Sequence, residues 1–194
     1  PRAVAVDEVV AIALLHIPVP PGRAPQVDIS DSLPHIWVDP GLLERVIANL
    51  VANALHVAPP DRPVELRADL VGPARGTADR PTGSADRTGD TANAAAAGPA
   101  AAATVVPAAP AGPAPSAGTR LRLRIIDHGP GVPADQRERI FAPFQRLDDQ
   151  SGHQGLGLGL AIARGFTEAM QGTLTPTATP GGGLTMVLTL PLAS

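Results

Sequence analysis

The sequence predicts an α+β protein, a two-layer sandwich in which a mixed β-sheet is covered on one face by helices. Three observations support this prediction. One long stretch carries apolar residues at helical spacing, several shorter stretches alternate apolar and polar residues as half-buried strands do, and these patterns follow each other along the chain. A chain of 194 residues is long enough to bury such a core, and we expect a single domain over 1–194.

The N-terminal part supplies the first helix and two short strands. Residues Val6 to His16 have a helical pattern, and QVDIS and HIWVD have the composition of short strands. Asp39 and Pro40 then predict the start of a second helix, because an acidic N-cap followed by proline at the first helical position is a start signal.

The second helix carries the strongest pattern in the chain. It ends before Pro59, since proline disfavours a helical conformation at the residue before it. Its apolar positions at helical spacing are Leu42, Leu43, Val46, Ile47, Leu50, Val51, Ala54 and Leu55. We expect this helix to pack on the sheet.

A segment of different composition interrupts the next pair of strands. Residues 72–118 are dominated by alanine, glycine and proline, with two valines as the only larger aliphatic residues. Such a segment buries too little apolar surface to offset the entropy of ordering, so we expect a disordered insertion. PVELRADLV before it and TRLRLRIID after it both alternate, which predicts a β-hairpin with an enlarged turn.

The C-terminal part adds two helices and a hairpin. Ala134 to Gln145 is interpreted as a short helix, and Leu158 to Gln171 as a longer one with Gly172 as its C-cap. The last two strands, GTLTPTAT and GLTMVLTLP, turn around a run of glycines.

Composition excludes several classes of function. The net charge is -3, and the sequence contains no basic tail or stripe. Nucleic acid is therefore not an expected partner. Cysteine is absent, which excludes disulfides and thiolate metal sites, and the five histidines lack the spacing of a zinc site. All 15 basic residues are arginine, which excludes the P-loop and the protein-kinase fold because both need a lysine on the phosphates.

Two asparagines, Asn49 and Asn53, lie four apart beside the apolar stripe of the second helix. They share one face, with about 6 Å between their Cβ atoms. Both side chains simply facing solvent is one interpretation. The other is a magnesium site, because amide carbonyls are hard oxygen donors suited to an ion that takes its remaining ligands from water and phosphate.

A second motif, IIDHGPGVP, ends a strand on Asp127 and continues into a turn with Gly129 and Gly131. Glycines in such a turn let backbone approach a ligand closely. A carboxylate at this point can accept a hydrogen bond from an exocyclic amine such as that of adenine. An ordinary Asp-Gly turn at the end of a strand is the alternative.

A third motif, GLGLGLAIA, places Gly155, Gly157 and Gly159 at the start of a helix. The spacing is not that of a dinucleotide-binding fingerprint. Glycines that open a helix do expose backbone N–H groups at the positive end of its dipole, which suits phosphate oxygens. A flexible hinge before a core helix is the alternative.

Taken in order, NLVANA, DHGPG, FAPF and GLGLGLAI resemble the N, G1, F and G2 boxes of the ATP-binding catalytic domain of two-component sensor histidine kinases, which has the Bergerat fold. The stretch DSLPHIWVDPGLLERVIANLVANA is further similar to potassium- and turgor-responsive members of that family. The resemblance implies ATP and Mg²⁺ as cofactors.

The resemblance also implies roles for individual residues. Asn53, and secondarily Asn49, would hold magnesium, and Asp127 would recognise the adenine amine in a pocket shaped by Gly129 and Gly131. The implied phosphate-binding residues are Gly155, Leu156, Gly157, Leu158 and Gly159, under a lid from about Phe144 to Gly155, with Arg146 placed to stabilise the γ-phosphate.

One position departs from the family pattern. Where the family usually has a basic residue followed by an aromatic one, this chain has His56 and Val57. A partly neutral imidazole is a weaker phosphate partner near pH 7. A degenerate nucleotide-binding or interaction module therefore stays open as one alternative.

A second alternative is an ATP hydrolase of the gyrase and Hsp90 fold class. Those enzymes resemble this helix but carry a glutamate, the base that activates water, four residues before the magnesium asparagine. Here that position is Asn49, and an amide cannot accept a proton at neutral pH. Phosphoryl transfer to a protein is therefore preferred to hydrolysis.

The resemblance implies partners that this chain does not contain. The family phosphorylates a histidine on an upstream helical dimerisation domain, and none of the five histidines has that context. We expect the catalytic half of a longer protein that acts on its own dimerisation domain and on a response regulator. The full-length protein is expected to be a membrane-anchored homodimer of the inner membrane, with this domain in the cytoplasm.

Overall fold

The computed structural model describes residues 1–72, 118–143 and 157–193. In chain order the elements are β1 Arg2–Val4, α1 Val6–Leu15, β2 Gln26–Asp28, β3 Ile36–Val38, α2 Pro40–Val57, β4 Glu65–Val71, β5 Arg120–Ile126, the 3-10 turns Ala134–Gln136 and Arg139–Phe141, α3 Gly159–Ala169, β6 Thr173–Ala178 and β7 Leu184–Pro191. Within those ranges no helix combines the length and the apolar composition needed to cross a membrane.

Five strands form one mixed sheet in the order β2-β4-β5-β7-β6. Strand β2 is parallel to β4, and the other neighbours are antiparallel. The pairing of β4 with β5 runs from Glu65 opposite Ile126 to Val71 opposite Arg120, so the strands that flank the insertion are neighbours as expected. The insertion itself, apart from its two terminal glycines, lies outside the described residues.

A second, two-stranded sheet pairs β1 with β3. Strand β1 is not predicted from the sequence, because Arg2, Ala3 and Val4 stand directly before α1 and do not alternate polar and apolar residues. Val4 of β1 and Val38 of β3 are buried. Trp37, which precedes Val38 in β3, is half exposed.

The core lies between the five-stranded sheet and the helices. In β5 the buried residues Leu121, Leu123 and Ile125 alternate with half-buried arginines on the opposite face. Helix α2 occupies the centre of the helical layer and contacts both α1 and α3. Its buried residues are Leu43, Val46, Ile47, Leu50, Val51, Ala54 and Leu55. Each buried leucine, isoleucine or valine there contributes about 1.5–3 kcal/mol, which holds α2 firmly on the sheet.

The start of α2 is the one that the sequence predicts. The Asp39 carboxylate accepts a hydrogen bond from the backbone N–H of Leu42 at 3.0 Å, and Pro40 occupies the first helical position. This cap fixes where the helix begins, and therefore which residues its asparagines face.

The helix predicted over Ala134 to Gln145 is replaced by the two 3-10 turns in the described part of that segment. Between Pro133 and Pro143 the large apolar residues are Ile140 and Phe141, which are adjacent. Neighbouring positions on a helix do not share a face, so no apolar stripe exists to hold a regular helix on the core.

The end of α3 also differs from the prediction. The left-handed residue after the helix is Gln171, with φ of 58°, and not Gly172. The N–H of Gly172 donates to the Thr167 carbonyl and that of Gln171 to the Glu168 carbonyl, both at 2.9 Å, which is a Schellman motif. Glycine is needed at 172 for another reason: a Cβ there would lie 2.8 Å from the Thr189 carbonyl oxygen.

Candidate functional site

One face of α2 contacts two segments that contain glycine, the start of α3 and the turn after β5. Asn49, Asn53 and Val57 follow each other at intervals of four and are all half-buried. A Cβ built on Gly159 would lie 3.3 Å from Asn49 Oδ1, and one built on Gly129 would lie 2.6 Å from the Val57 carbonyl oxygen. The start of α3 and the turn after β5 therefore contact the same face, about 12 Å apart along the helix axis, with Asn53 between them.

The turn after β5 is compatible only with glycine at 129. A methyl group at 2.6 Å from a backbone oxygen would force the turn away from α2. The Gly129 N–H also donates to Asp127 Oδ1 at 2.9 Å. Gly129 therefore has two roles: it lets the turn approach the C-terminal end of α2, and its N–H binds the Asp127 carboxylate.

Asp127 is the most buried acidic residue at the site, with an exposed fraction of 3%. Its Oδ1 accepts hydrogen bonds from the N–H groups of Gly129 at 2.9 Å and Leu184 at 3.1 Å. Burial raises the pKa of the carboxyl group above its ordinary value, although these two bonds and His128 act in the opposite direction. Its Oδ2 accepts no hydrogen bond from the described residues.

The glycine run between β6 and β7 is predicted from the sequence only as a turn, and in the structure it packs against Asp127. Gly181, Gly182 and Gly183 all have positive φ, at 84°, 106° and 114°. A Cβ on Gly183 would lie 2.1 Å from the Asp127 carbonyl oxygen, and one on Gly131 would lie 3.0 Å from the Gly183 carbonyl oxygen. The signal was present in the length of the run, because a tight hairpin turn needs fewer glycines.

His128 follows Asp127 and points to strand β4. Its Nε2 lies 3.2 Å from Glu65 Oε1, and both side chains are largely buried. The hydrogen bond with His128 is the main cause that lowers the pKa of Glu65 below its ordinary value, so the carboxylate stays ionised.

The glycine-rich helix start is described from Gly157 onward. Gly157 has φ of 66°, and α3 begins at Gly159 after Leu158, whose side chain offers no cap to the first N–H groups. Within the described residues no side chain caps these N–H groups, which lie at the positive end of the helix, a position that favours an anion. Three further predicted residues, Gly155, Leu156 and Arg146, and the predicted lid lie outside the described residues.

His56 is exposed at the C-terminal end of α2, one turn beyond Asn53. It directly precedes Val57, whose carbonyl contacts the turn at Gly129. This position is compatible with a role at the edge of a ligand, as the sequence predicts.

The segment before the predicted lid is fixed to α3. Phe141 is buried, and the Arg164 guanidinium lies 4.8 Å from the centre of its ring. Arg164 also pairs with Glu138 at 3.0 Å and with Glu168 at 3.1 Å. These contacts connect the residues just before 144 to helix α3, which begins just after 156.

A cavity in the described part of the chain lies away from these residues. It has a volume of about 350 Å³ and is lined by the loops before β2 and after α2, including Arg23, Asp61 and Arg62. None of the predicted site residues lines it. The candidate site defined by the glycine contacts and the buried carboxylate is therefore separate from this cavity.

Comparisons with known proteins agree with the motifs. Residues 91–194 match the family model of the histidine kinase-, DNA gyrase B-, and HSP90-like ATPases. The sensor protein KdpD of Rathayibacter rathayi is 37% identical over 193 residues, which cover 100% of this chain but 17% of that protein. The chain thus spans about a sixth of the length of this relative.

Solved structures show the same fold. A mycobacterial sensor histidine kinase, MprB, aligns with a TM-score of 0.64 at 21% identity over 98% of each chain. Full-length ShkA, solved in complex with AMPPNP, aligns with a TM-score of 0.62 at 24% identity over 100% of this chain and 31% of its own. The resemblance inferred from the four motifs is confirmed: the chain belongs to the histidine kinase-, DNA gyrase B-, and HSP90-like ATPase family.

Proposed function

We propose that the chain binds ATP with Mg²⁺ and is the catalytic half of a sensor histidine kinase. The observation that carries this proposal is the α2 face on which Asn49, Asn53 and Val57 lie between two glycine elements. One element brings a buried carboxylate and the other brings the open end of a helix. A ligand with an amine at one end and phosphates at the other fits this order.

The adenine end is assigned to Asp127 in the turn shaped by Gly129 and Gly131. Both backbone hydrogen bonds use Oδ1, so Oδ2 can accept the exocyclic amine of adenine. A carboxylate is an acceptor only, and it therefore favours a base that presents an amine at this point over one that presents a carbonyl.

The phosphate end is assigned to the start of α3. The N–H groups after Leu158 and the positive end of the helix suit an anion. Gly155, Leu156 and Gly157 would extend this cradle, and Arg146 would stabilise charge on the γ-phosphate. For Arg146, Gly155 and Leu156 these roles rest on the resemblance.

Asn53 and Asn49 are proposed as the protein ligands of Mg²⁺. Asn49 Oδ1 faces Gly159 at the phosphate end, and amide oxygens are suitable donors for this ion. When bound, Mg²⁺ would neutralise phosphate charge during transfer. The role of the chain is to hold the amide oxygens on one rigid helix, where their spacing does not change.

Transfer to a protein is preferred to hydrolysis because Asn49 cannot act as a base. The residues available at this point orient the nucleotide and stabilise charge, which is most of what a phosphoryl transfer requires. The acceptor would be a histidine on an upstream dimerisation domain, which supplies its own nucleophile.

The similarity to KdpD over the whole chain favours a potassium- or turgor-responsive kinase. In this proposal the complete protein is a membrane-anchored homodimer with this domain in the cytoplasm, and a cognate response regulator takes the phosphoryl group. The net charge of -3 gives no reason to add nucleic acid to these partners.

Titration with a fluorescent ATP analogue, with and without Mg²⁺, tests the proposal. We expect the wild type to bind more tightly with Mg²⁺, and Asn53→Ala to lose this gain while keeping the metal-independent part. Ala52→Ser, a change at an exposed position of the same helix, is the matched control and should behave as wild type. If the wild type binds no nucleotide, the chain is a degenerate module, in line with His56 and Val57.

A further inference from the structure

Asp127 is held in place by neighbours on three sides. Leu184 of β7 donates its N–H to Oδ1, and its carbonyl accepts the Asp127 N–H at 3.0 Å. Gly129 is packed against the Val57 carbonyl at the end of α2. The third side is the contact between His128 and Glu65 of strand β4. We infer that Glu65, through His128, is a positioning residue that directs Asp127 at the adenine amine.

The geometry connects Glu65 to the turn through His128. Glu65 lies opposite Ile126 in the pairing of β4 with β5, so its carboxylate is next to the point where β5 ends. His128 lies two residues beyond Ile126 and reaches back to Glu65 Oε1 at 3.2 Å. The contact fixes the chain at the residue that follows Asp127.

The chemistry of the pair fixes the direction of this hydrogen bond. The lowered pKa keeps Glu65 ionised, and an ionised carboxylate only accepts hydrogen bonds. Nε2 of His128 must therefore carry the proton and donate. Its Nδ1 is buried and has no partner within the described residues, so the contact with Glu65 is the one polar bond that orients the ring there.

His128 and Asp127 are coupled through the backbone between them. Successive side chains of an extended strand point to opposite faces, so the Glu65 contact holds one face of the strand end while Asp127 points to the other. Without the contact between His128 and Glu65, the peptide between Asp127 and His128 can rotate. Oδ2 of Asp127 is then no longer directed at the adenine amine. The inference rests on the proposed role of Asp127.

The test compares ATP with purine riboside triphosphate, which is ATP without the amine, in binding titrations. Glu65→Ala should weaken ATP binding roughly two- to tenfold, the range of one hydrogen bond, and leave binding of the amine-free analogue almost unchanged. Glu65→Gln keeps an acceptor at the same place and should restore most of the preference for ATP.

Asp69→Ala is the matched control. Asp69 lies on the same strand, where it accepts hydrogen bonds from Arg122 and forms an ion pair with Arg124, away from the turn. Its loss removes a comparable ion pair, and we expect the preference for ATP to stay at the wild-type value. Thermal unfolding of both variants shows whether each is folded at the temperature of the titration.

The possible outcomes distinguish the role of Glu65 from that of Asp127. If Glu65→Ala lowers the affinity for both nucleotides equally, or keeps the full preference for ATP, the positioning role is wrong while the assignment of Asp127 to the amine stands. If the wild type itself does not prefer ATP to the amine-free analogue, the proposed role of Asp127 fails, and the inference fails with it.

Discussion

Asp127 combines a buried carboxylate with one oxygen, Oδ2, that accepts no hydrogen bond from the described residues. Burial raises the pKa of this carboxyl group, while the N–H groups of Gly129 and Leu184 favour its ionised form. The residue is therefore sensitive to pH in a range where an ordinary aspartate is already ionised.

Nucleotide affinity should fall as the pH is lowered through the raised pKa of Asp127. Protonation of Oδ2 replaces a carboxylate oxygen with a hydroxyl group, which is a donor and a much weaker acceptor for the adenine amine, so ATP binding weakens while the amine-free analogue is less affected. Titrations over a series of pH values measure this difference. Asp127→Asn should bind ATP weakly, with little dependence of the ATP preference on pH; a preference that is constant with pH in the wild type would contradict the prediction.

The pKa of Glu65 is shifted in the opposite direction to that of Asp127, and this shift predicts how the stability of the fold depends on pH. Its pKa in the folded chain is lowered from an ordinary value of 4.5, so its contribution to stability is complete above that value. The contribution is lost as the pH falls from 4.5 through the lowered pKa. Denaturant unfolding of the wild type and Glu65→Gln should therefore differ at neutral pH and converge in acid; a difference that grows in acid would show that the ionised carboxylate does not stabilise the fold.

At the scale of elements, the site is assembled from turns whose glycines are not interchangeable. Gly181 and Gly183 both have positive φ in the turn between β6 and β7. A Cβ on Gly181 meets nothing within 4 Å, whereas one on Gly183 would lie 2.1 Å from the Asp127 carbonyl oxygen. The second glycine is required by contact as well as by backbone conformation.

Gly183→Ala should therefore destabilise the fold by more than Gly181→Ala. The left-handed conformation alone costs about 1–2 kcal/mol for alanine, and this is the expected loss at 181. At 183 the clash with Asp127 should add to it, for a total of about 3 kcal/mol or more, and should weaken ATP binding. Equilibrium denaturant unfolding measures both losses, and equal values would mean that the contact with Asp127 adds nothing.

Elements with long patterns could be predicted from the sequence, and those defined by contacts could not. Helix α2 shows its stripe, cap and boundaries in the sequence because burial imposes a period on eighteen residues. Strand β1 depends on its pairing with β3, a contact that its own residues do not indicate. The role of Gly183 depends on Asp127, which is distant in sequence, and no local pattern indicates such a contact.

At the scale of the whole molecule, the chain holds the proposed nucleotide site, but none of its five histidines has the sequence context of a phosphoryl acceptor. It covers 17% of the length of its KdpD relative, which leaves room for the domain that the proposed reaction requires. We therefore expect this chain to orient the nucleotide and the dimerisation domain to supply the nucleophile.

The chain alone should not label itself when incubated with Mg²⁺ and radiolabelled ATP, and its hydrolysis of ATP should be slow because Asn49 is not a base. Adding the dimerisation domain of the complete protein should produce label on a histidine of that domain. Asn53→Ala should remove most of this label. Rapid hydrolysis by the chain alone would favour the hydrolase alternative instead.

A crystal structure of the chain with AMPPNP and Mg²⁺ tests the central claim most directly. We expect the adenine amine within hydrogen-bond distance of Asp127 Oδ2, the metal ion at the amide oxygen of Asn53, and the phosphates at the start of α3 beside Gly159. A nucleotide bound elsewhere, for example in the cavity lined by Arg23 and Arg62, with Asp127 and Asn53 untouched, would contradict the proposed site.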